Sequence, residues 1–187
     1  MKKRFKNKKL SQAYIQGAAY RYLERYATTE ANLFFILRRK VERILADQED
    51  VEEVRQNAET WINETVQKCV KMGLVDDRLY AESKFNSFML SGNSLAQIKN
   101  KLRTKGVPQD IIAELIEAAK NDQPDLNFKS AIKYARKRRF GPFRIREEQE
   151  NTRNKEIAAM ARAGFSYDET NRVLSGDRNE LEDILYG

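Results

Sequence analysis

Apolar residues return every three or four positions along most of this chain, and short polar breaks divide the stretches in which they do so. That interval is the helical period, and the breaks carry the residues that start and stop helices. Residues 11–26 form the first predicted helix, with Tyr14, Ala18 and Tyr22 in one row and Ala19 and Leu23 beside it. Thr29 caps a second, whose face is Leu33, Leu37, Val41 and Ile44. A third spans 50–72 and carries Val54, Ala58, Trp61, Ile62, Thr65, Cys69 and Met72; a fourth spans 77–90. Ser94 with Gln97 reads as a capping box that opens a fifth, containing Leu95, Ile98 and Leu102. Pro108 suits the first turn of a sixth, where its missing N–H does no harm. Residues 126–139 form a seventh, stopped by Gly141-Pro142. Thr152 caps an eighth, Ser166 with Glu169 boxes a ninth, and 181–186 adds a final turn. No strand pattern appears, so the predicted fold class is all-α.

Three of the breaks share a pattern: a glycine, an apolar residue, two variable residues and an aspartate. They are Gly73-Leu74-Val75-Asp76-Asp77, Gly106-Val107-Pro108-Gln109-Asp110 and Gly164-Phe165-Ser166-Tyr167-Asp168. Glycine takes the left-handed conformation that ends a helix, the next apolar residue folds back onto the last turn, and the acid meets the positive end of the following helix. Cap and joint recur with one offset of 58, at Ser94/Gly106 and Thr152/Gly164. Val41 stands where the same spacing asks for a joint glycine, so the second helix is expected to run longer. These joints predict an elongated tandem array of three three-helix modules, over 11–73, 74–122 and 123–187, after a basic tail over 1–10 that is expected to be disordered.

Composition narrows the function. Apolar residues make up 41% and charged residues 34%, the balance of a folded, well-solvated helical protein. No apolar run reaches the roughly 18 residues of a membrane span, and the N-terminus lacks the apolar core of a secretory signal, so a cytoplasmic protein is expected. Histidine is absent, which removes the commonest general base and metal ligand. Cys69 is the sole cysteine and sits within a helical stripe, where it reads as a buried structural thiol. Neither a phosphate loop nor a nucleophile elbow is present. An enzyme is not expected, nor any metal or cofactor.

Six of the seven net positive charges come from Lys2, Lys3, Arg4, Lys6, Lys8 and Lys9, so the rest of the chain is nearly balanced and its basic clusters are local. Three lie beyond the tail: Arg38, Arg39, Lys40 and Arg43; Lys99, Lys101, Arg103 and Lys105; and Arg136, Lys137, Arg138, Arg139, Arg144 and Arg146. The plain reading is a set of solvated helix flanks. The sharper reading gives the third cluster, packed beside a Gly-Pro break, a role on phosphates or an acidic partner surface. Leu33-Phe34-Phe35-Ile36-Leu37 points in too many directions for one stripe. It reads either as a helix buried on several sides or as an exposed apolar contact. The tyrosines and Trp61 are expected mostly on core faces, and the pairs Asp76/Asp77 and Glu147/Glu148 at helix N-termini.

The segment Gly73, Leu74, Val75, Asp76, Asp77, Arg78, Leu79, Tyr80, Ala81, Glu82 resembles the hallmark of the RecX regulatory proteins. Leu95, Ile98, Lys101, Leu102, Lys105, Gly106 and Val107 are similar to that family's second module. Ala131, Ala135, Arg136, Lys137, Arg138 and Ala163-Gly164-Phe165-Ser166-Tyr167 are similar to its third. Thr29-Glu30-Ala31-Asn32-Leu33 resembles the entry to the first, with Asn32 in place of the usual glutamate. The resemblance covers about residues 13–174. It implies a cytoplasmic protein of tandem helical modules that binds the recombinase RecA, lies in the groove of the RecA–DNA filament and restrains its extension, ATP hydrolysis and strand exchange in DNA repair and the SOS response. A monomer is expected. The alternative is a stand-alone DNA-binding protein, against which the acidic starts of the helices after Gly106 and Gly164 count, because a recognition helix needs base-reading polar groups there.

Overall fold

The computed structural model describes residues 10–46, 51–145 and 149–186. The tail cations, Asp50, Arg146 and the Glu147/Glu148 pair lie outside these. Among the described residues there are ten α-helices and no strand: α1 Gln12–Leu23, α2 Glu30–Leu45, α3 Glu52–Lys71, α4 Asp77–Leu90, α5 Leu95–Thr104, α6 Gln109–Asp122, α7 Leu126–Arg138, α8 Thr152–Arg162, α9 Tyr167–Ser175 and α10 Arg178–Tyr186. A 3-10 turn, Gly141–Phe143, follows α7. The helix α2 runs 16 residues against 10 for α5 and 11 for α8, as the missing joint glycine predicts.

The chain divides into two compact units, 1–80 and 81–187, and the division falls inside α4. In the first unit α1, α2 and α3 pack together over Ile15, Ala18, Ala19, Leu33, Leu37, Val41, Ala58, Ile62, Val66 and Cys69, with Val75 closing the core. In the second unit Phe128, Ala131, Ile132 and Ala135 of α7 pack with Met160, Ala163, Phe165, Val173 and Leu181.

The three joint glycines do adopt positive φ, at 67°, 80° and 83° for Gly73, Gly106 and Gly164. Each helix closes with the paired bonds of a Schellman end, such as Val107 N–H to Leu102 O and Gly106 N–H to Arg103 O. The same closure occurs at Gly92 and, without glycine, at Arg139, where φ is 60°. Arg139 therefore stops α7, two residues before the Gly141-Pro142 step opens its own 3-10 turn. At the first joint the expectation about the apolar residue needs correction. Leu74 is exposed and Val75 is buried, because Asp76 caps α4 three residues after its glycine, whereas Pro108 and Ser166 start their helices after two. One more residue in the loop moves the inward position along by one.

Other starts differ as well. Pro108 occupies the cap of α6 rather than its first turn, and Asn151 rather than Thr152 caps α8. Thr152 instead accepts a bond from Gln149 N–H through its hydroxyl at 3.1 Å. The reciprocal capping box forms at Ser166/Glu169, while Ser94 accepts from Gln97 N–H and gives its own proton to Ala163 O at 2.5 Å. The final turn is a full helix, α10, started by Asp177, which accepts from Asn179 and Glu180 N–H. Met72 is exposed despite its place in the α3 stripe, and none of the eight tyrosines is fully buried; Tyr26, Tyr167 and Tyr186 are exposed.

Candidate partner-binding surfaces

The signature segment around Gly73 is a structural knot with an apolar exterior. Asp76 accepts from Leu79 N–H at 2.9 Å and so caps its own helix, α4. Its neighbour Asp77 accepts from Glu30 N–H at 2.8 Å, which satisfies a free donor in the first turn of α2. Burial pushes the Asp77 carboxyl above its ordinary range, more than the Glu30 bond lowers it, and the Glu30 and Asp76 charges push the same way as burial. Ala81 is buried, Glu82 and Tyr80 are half-buried, and burial raises the Tyr80 hydroxyl, with Tyr22 adding to the shift. Leu74 and Leu79 face outward, Leu79 being 65% exposed. The equivalent tie in the second unit runs from Leu95 N–H, the first residue of α5, to Asn127 Oδ1 at 2.9 Å, and Asn127 Nδ2 then donates to Glu169 at 2.6 Å.

Each basic cluster splits into cations engaged within the molecule and cations turned outward. On α2, Arg38 meets Glu59 at 3.7 Å and Lys40 lies over the Tyr14 ring, while Arg39 and Arg43 stand exposed one turn apart. Phe35 stands one turn before Arg39 and is 58% exposed, so the middle of the Leu33–Leu37 run presents its ring outward while Leu33 and Leu37 are buried. On α5, Lys101 donates to Asn93 at 2.5 Å and covers the Phe88 ring, while Lys99 and Arg103 are turned outward, and Lys105 follows as the C-cap of the helix. On α7, Arg136 donates to the Tyr186 hydroxyl and lies over that ring, and Arg138 lies over Tyr134. Lys137 and Arg139 are exposed.

Arg144 is committed most deeply. Its Nε and Nη2 reach the two oxygens of Glu156 at 3.2 and 2.9 Å, and Glu156 also accepts from Gly141 N–H at 3.0 Å. Glu156 shares the stripe of Met160 and Ala163 and is buried. A carboxylate on an apolar stripe is the signal in the sequence that pointed to such a partner, and the cluster reading passed over it. Beside this pair a recess of about 530 Å³ is lined by Arg138, Arg139, Phe140, Arg144, Ile145, Gln149, Thr152, Lys155 and Glu156. Lys155 is the cation the sequence clusters omitted. Among the described residues no group of histidine, cysteine and carboxylate side chains is placed to hold a metal, and no helix is long and apolar enough to cross a membrane.

The regulatory protein RecX of Myxococcus xanthus is 36% identical over 171 residues, covering 91% of this chain and 89% of that protein. RecX of Agrobacterium fabrum is 40% identical over 111 residues, 59% of this chain and 57% of that one. The crystal structure of RecX from Lactobacillus salivarius matches the fold with a TM-score of 0.62 at 22% identity, over 91% of this chain and 96% of that chain. A second crystal structure, of regulatory protein RecX, matches with a TM-score of 0.60 at 22% identity, over 87% and 70%. No family model matches the chain.

Proposed function

The chain belongs to the RecX family, and we propose from that premise that it binds the recombinase RecA and its filament on DNA and restrains ATP hydrolysis and strand exchange, by contact rather than catalysis, in the cytoplasm. The observation that carries this reading is the sorting of the basic clusters. Outward cations remain as pairs on α2 (Arg39, Arg43), α5 (Lys99, Arg103) and α7 (Lys137, Arg139), after their neighbours have been taken up by internal partners. A filament offers the same subunit surface at regular intervals, and a ligand with several basic faces gains from meeting more than one copy.

We further propose that these faces belong to three tandem modules. The repeated tie supports this. In both cases the first N–H of a module's second helix is closed by a side chain at the start of the next module's first helix, Glu30 to Asp77 and Leu95 to Asn127. By occupying the filament such a ligand biases it between conformations and obstructs access of duplex DNA.

The test is RecA's DNA-dependent ATPase, titrated with the parent and with R39A/R43A, K99A/R103A and K137A/R139A. The parent is expected to lower the activity, and each double variant to require more protein for the same effect. A parent that binds DNA yet leaves RecA activity unchanged over a wide concentration range would overturn the proposal in favour of a stand-alone DNA-binding protein.

A further inference from the structure

Between the end of α7, Arg144 and Ile145 after the 3-10 turn, and the first turns of α8 lies the recess of about 530 Å³ described above. Among the described residues, Arg138, Arg139, Arg144 and Lys155 line it against one carboxylate, Glu156. That carboxylate does not neutralise the set. Its two oxygens are already occupied by Arg144 and the Gly141 N–H, at 2.9 to 3.2 Å. Arg138, Arg139 and Lys155 thus act on a concave space whose protein walls concentrate their field.

The backbone supplies a second, independent observation. Arg139 holds a φ of 60° at a helix end of the kind that glycine closes at Gly73, Gly92, Gly106 and Gly164. A side chain there costs conformational energy that glycine avoids. The chain nevertheless keeps an arginine, and that arginine lines the recess. Strain kept in place of a relaxed alternative points from geometry toward a ligand. Guanidinium and ammonium donors match the oxygens of a tetrahedral anion. Ile145, 72% exposed at the same recess, offers an apolar wall for the carbon skeleton that carries it.

We propose that this recess seats a phosphate group, carried either by a polynucleotide backbone or by a free nucleotide. The proposal narrows the basic surface of α7 to one ligand chemistry and rests on the preceding reading only for its setting on a DNA filament. The test uses the full chain without RecA. Anisotropy of a fluorescein-labelled oligothymidylate and of a fluorescent ATP analogue is measured against salt for the parent, R139G/K155Q and, as a control for bulk charge, K68Q/K71Q, two exposed cations in the last turn of α3 outside the proposed surfaces. Arg139→Gly relieves the backbone, and the Arg144–Glu156 pair is untouched, so thermal melting of R139G/K155Q is expected no lower than the parent's.

The variant is expected to lose on the order of tenfold in affinity for at least one probe, and for the oligonucleotide the salt slope should fall by about 1.4, two contacts at roughly 0.7 each. Loss confined to the oligonucleotide assigns the phosphate to a strand; loss confined to the ATP analogue assigns it to a free nucleotide. Unchanged binding of both probes overturns the proposal, as does an equal loss in K68Q/K71Q. If both probes still bind R139G/K155Q but its effect on RecA's ATPase is gone, the recess serves an acidic protein surface instead. Because the binding assays contain no RecA, a failed phosphate seat leaves the parent's effect on RecA to be judged separately.

Discussion

Asp76 and Asp77 are neighbours in the chain, yet their carboxylates close different helices. Position decides this: Asp76 precedes α4 and reaches its own first turn, while Asp77, one residue on, turns to α2. The Asp77 site is half-buried, and its carboxyl is raised above the ordinary 3.8, chiefly by loss of water. A raised folded value means that its contribution to stability is fully present below about pH 3.8 and is lost as pH rises through the higher folded value. Asp77→Asn keeps an acceptor for Glu30 N–H without the charge. Its melting temperature should equal or exceed the parent's at neutral pH, with the difference shrinking as pH falls. Asp77→Ala leaves that N–H unpaired and should cost about 0.5–2 kcal/mol at either pH. A melting series in acid and neutral buffer checks both. The joint glycines separate in the same way. A Cβ on Gly73 meets nothing within 4 Å, whereas one on Gly164 would stand 2.7 Å from Ser94 Oγ and 2.9 Å from Ala96 Cβ. Gly73→Ala should cost about 1–2 kcal/mol through its dihedral alone, and Gly164→Ala roughly twice that by chemical denaturation.

At the level of elements, the helices were legible wherever a glycine, a cap and an apolar stripe agreed. The helix α4 falls on its expected residues, and all three joint glycines take the left-handed conformation. The Gly92 closure was missed because Asn93, the residue after it, is polar; its side chain supports the turn by donating to Phe88 O at 2.9 Å. The Arg139 closure was missed because glycine is absent, although Phe140 follows it as the apolar residue such an end prefers. The helix α10 was taken for one turn because its buried stripe is short, essentially Leu181 with Leu185 behind it. No local pattern announces the ties between helices. Asn127 lies 32 residues from the N–H it closes, and it also holds Glu169. Asn127→Ala should therefore cost about 1–3 kcal/mol, with faster hydrogen exchange in the first turns of α5 and α9 and unchanged exchange in α1 to α3.

Across the whole molecule, the candidate site was legible as charge and illegible as commitment. Sequence places fourteen cations in three clusters, but a run such as Arg136 to Arg139 does not say which of them will meet Tyr186, which will stack on Tyr134 and which will remain outward. That sorting depends on α10 and on Glu156, elements distant in the chain or hidden on an apolar stripe. Long-range pairing also sets what a position tolerates. The Ser94 hydroxyl receives Gln97 N–H and passes its own proton to Ala163 O, 69 residues away. Aspartate is ordinarily as good a helix cap as serine, but a carboxylate only accepts. Facing Ala163 O it would set two acceptors against each other at close range. An alignment of relatives should accordingly show a narrow alphabet at this position, serine or threonine, even where neighbouring caps drift freely through the acids and amides.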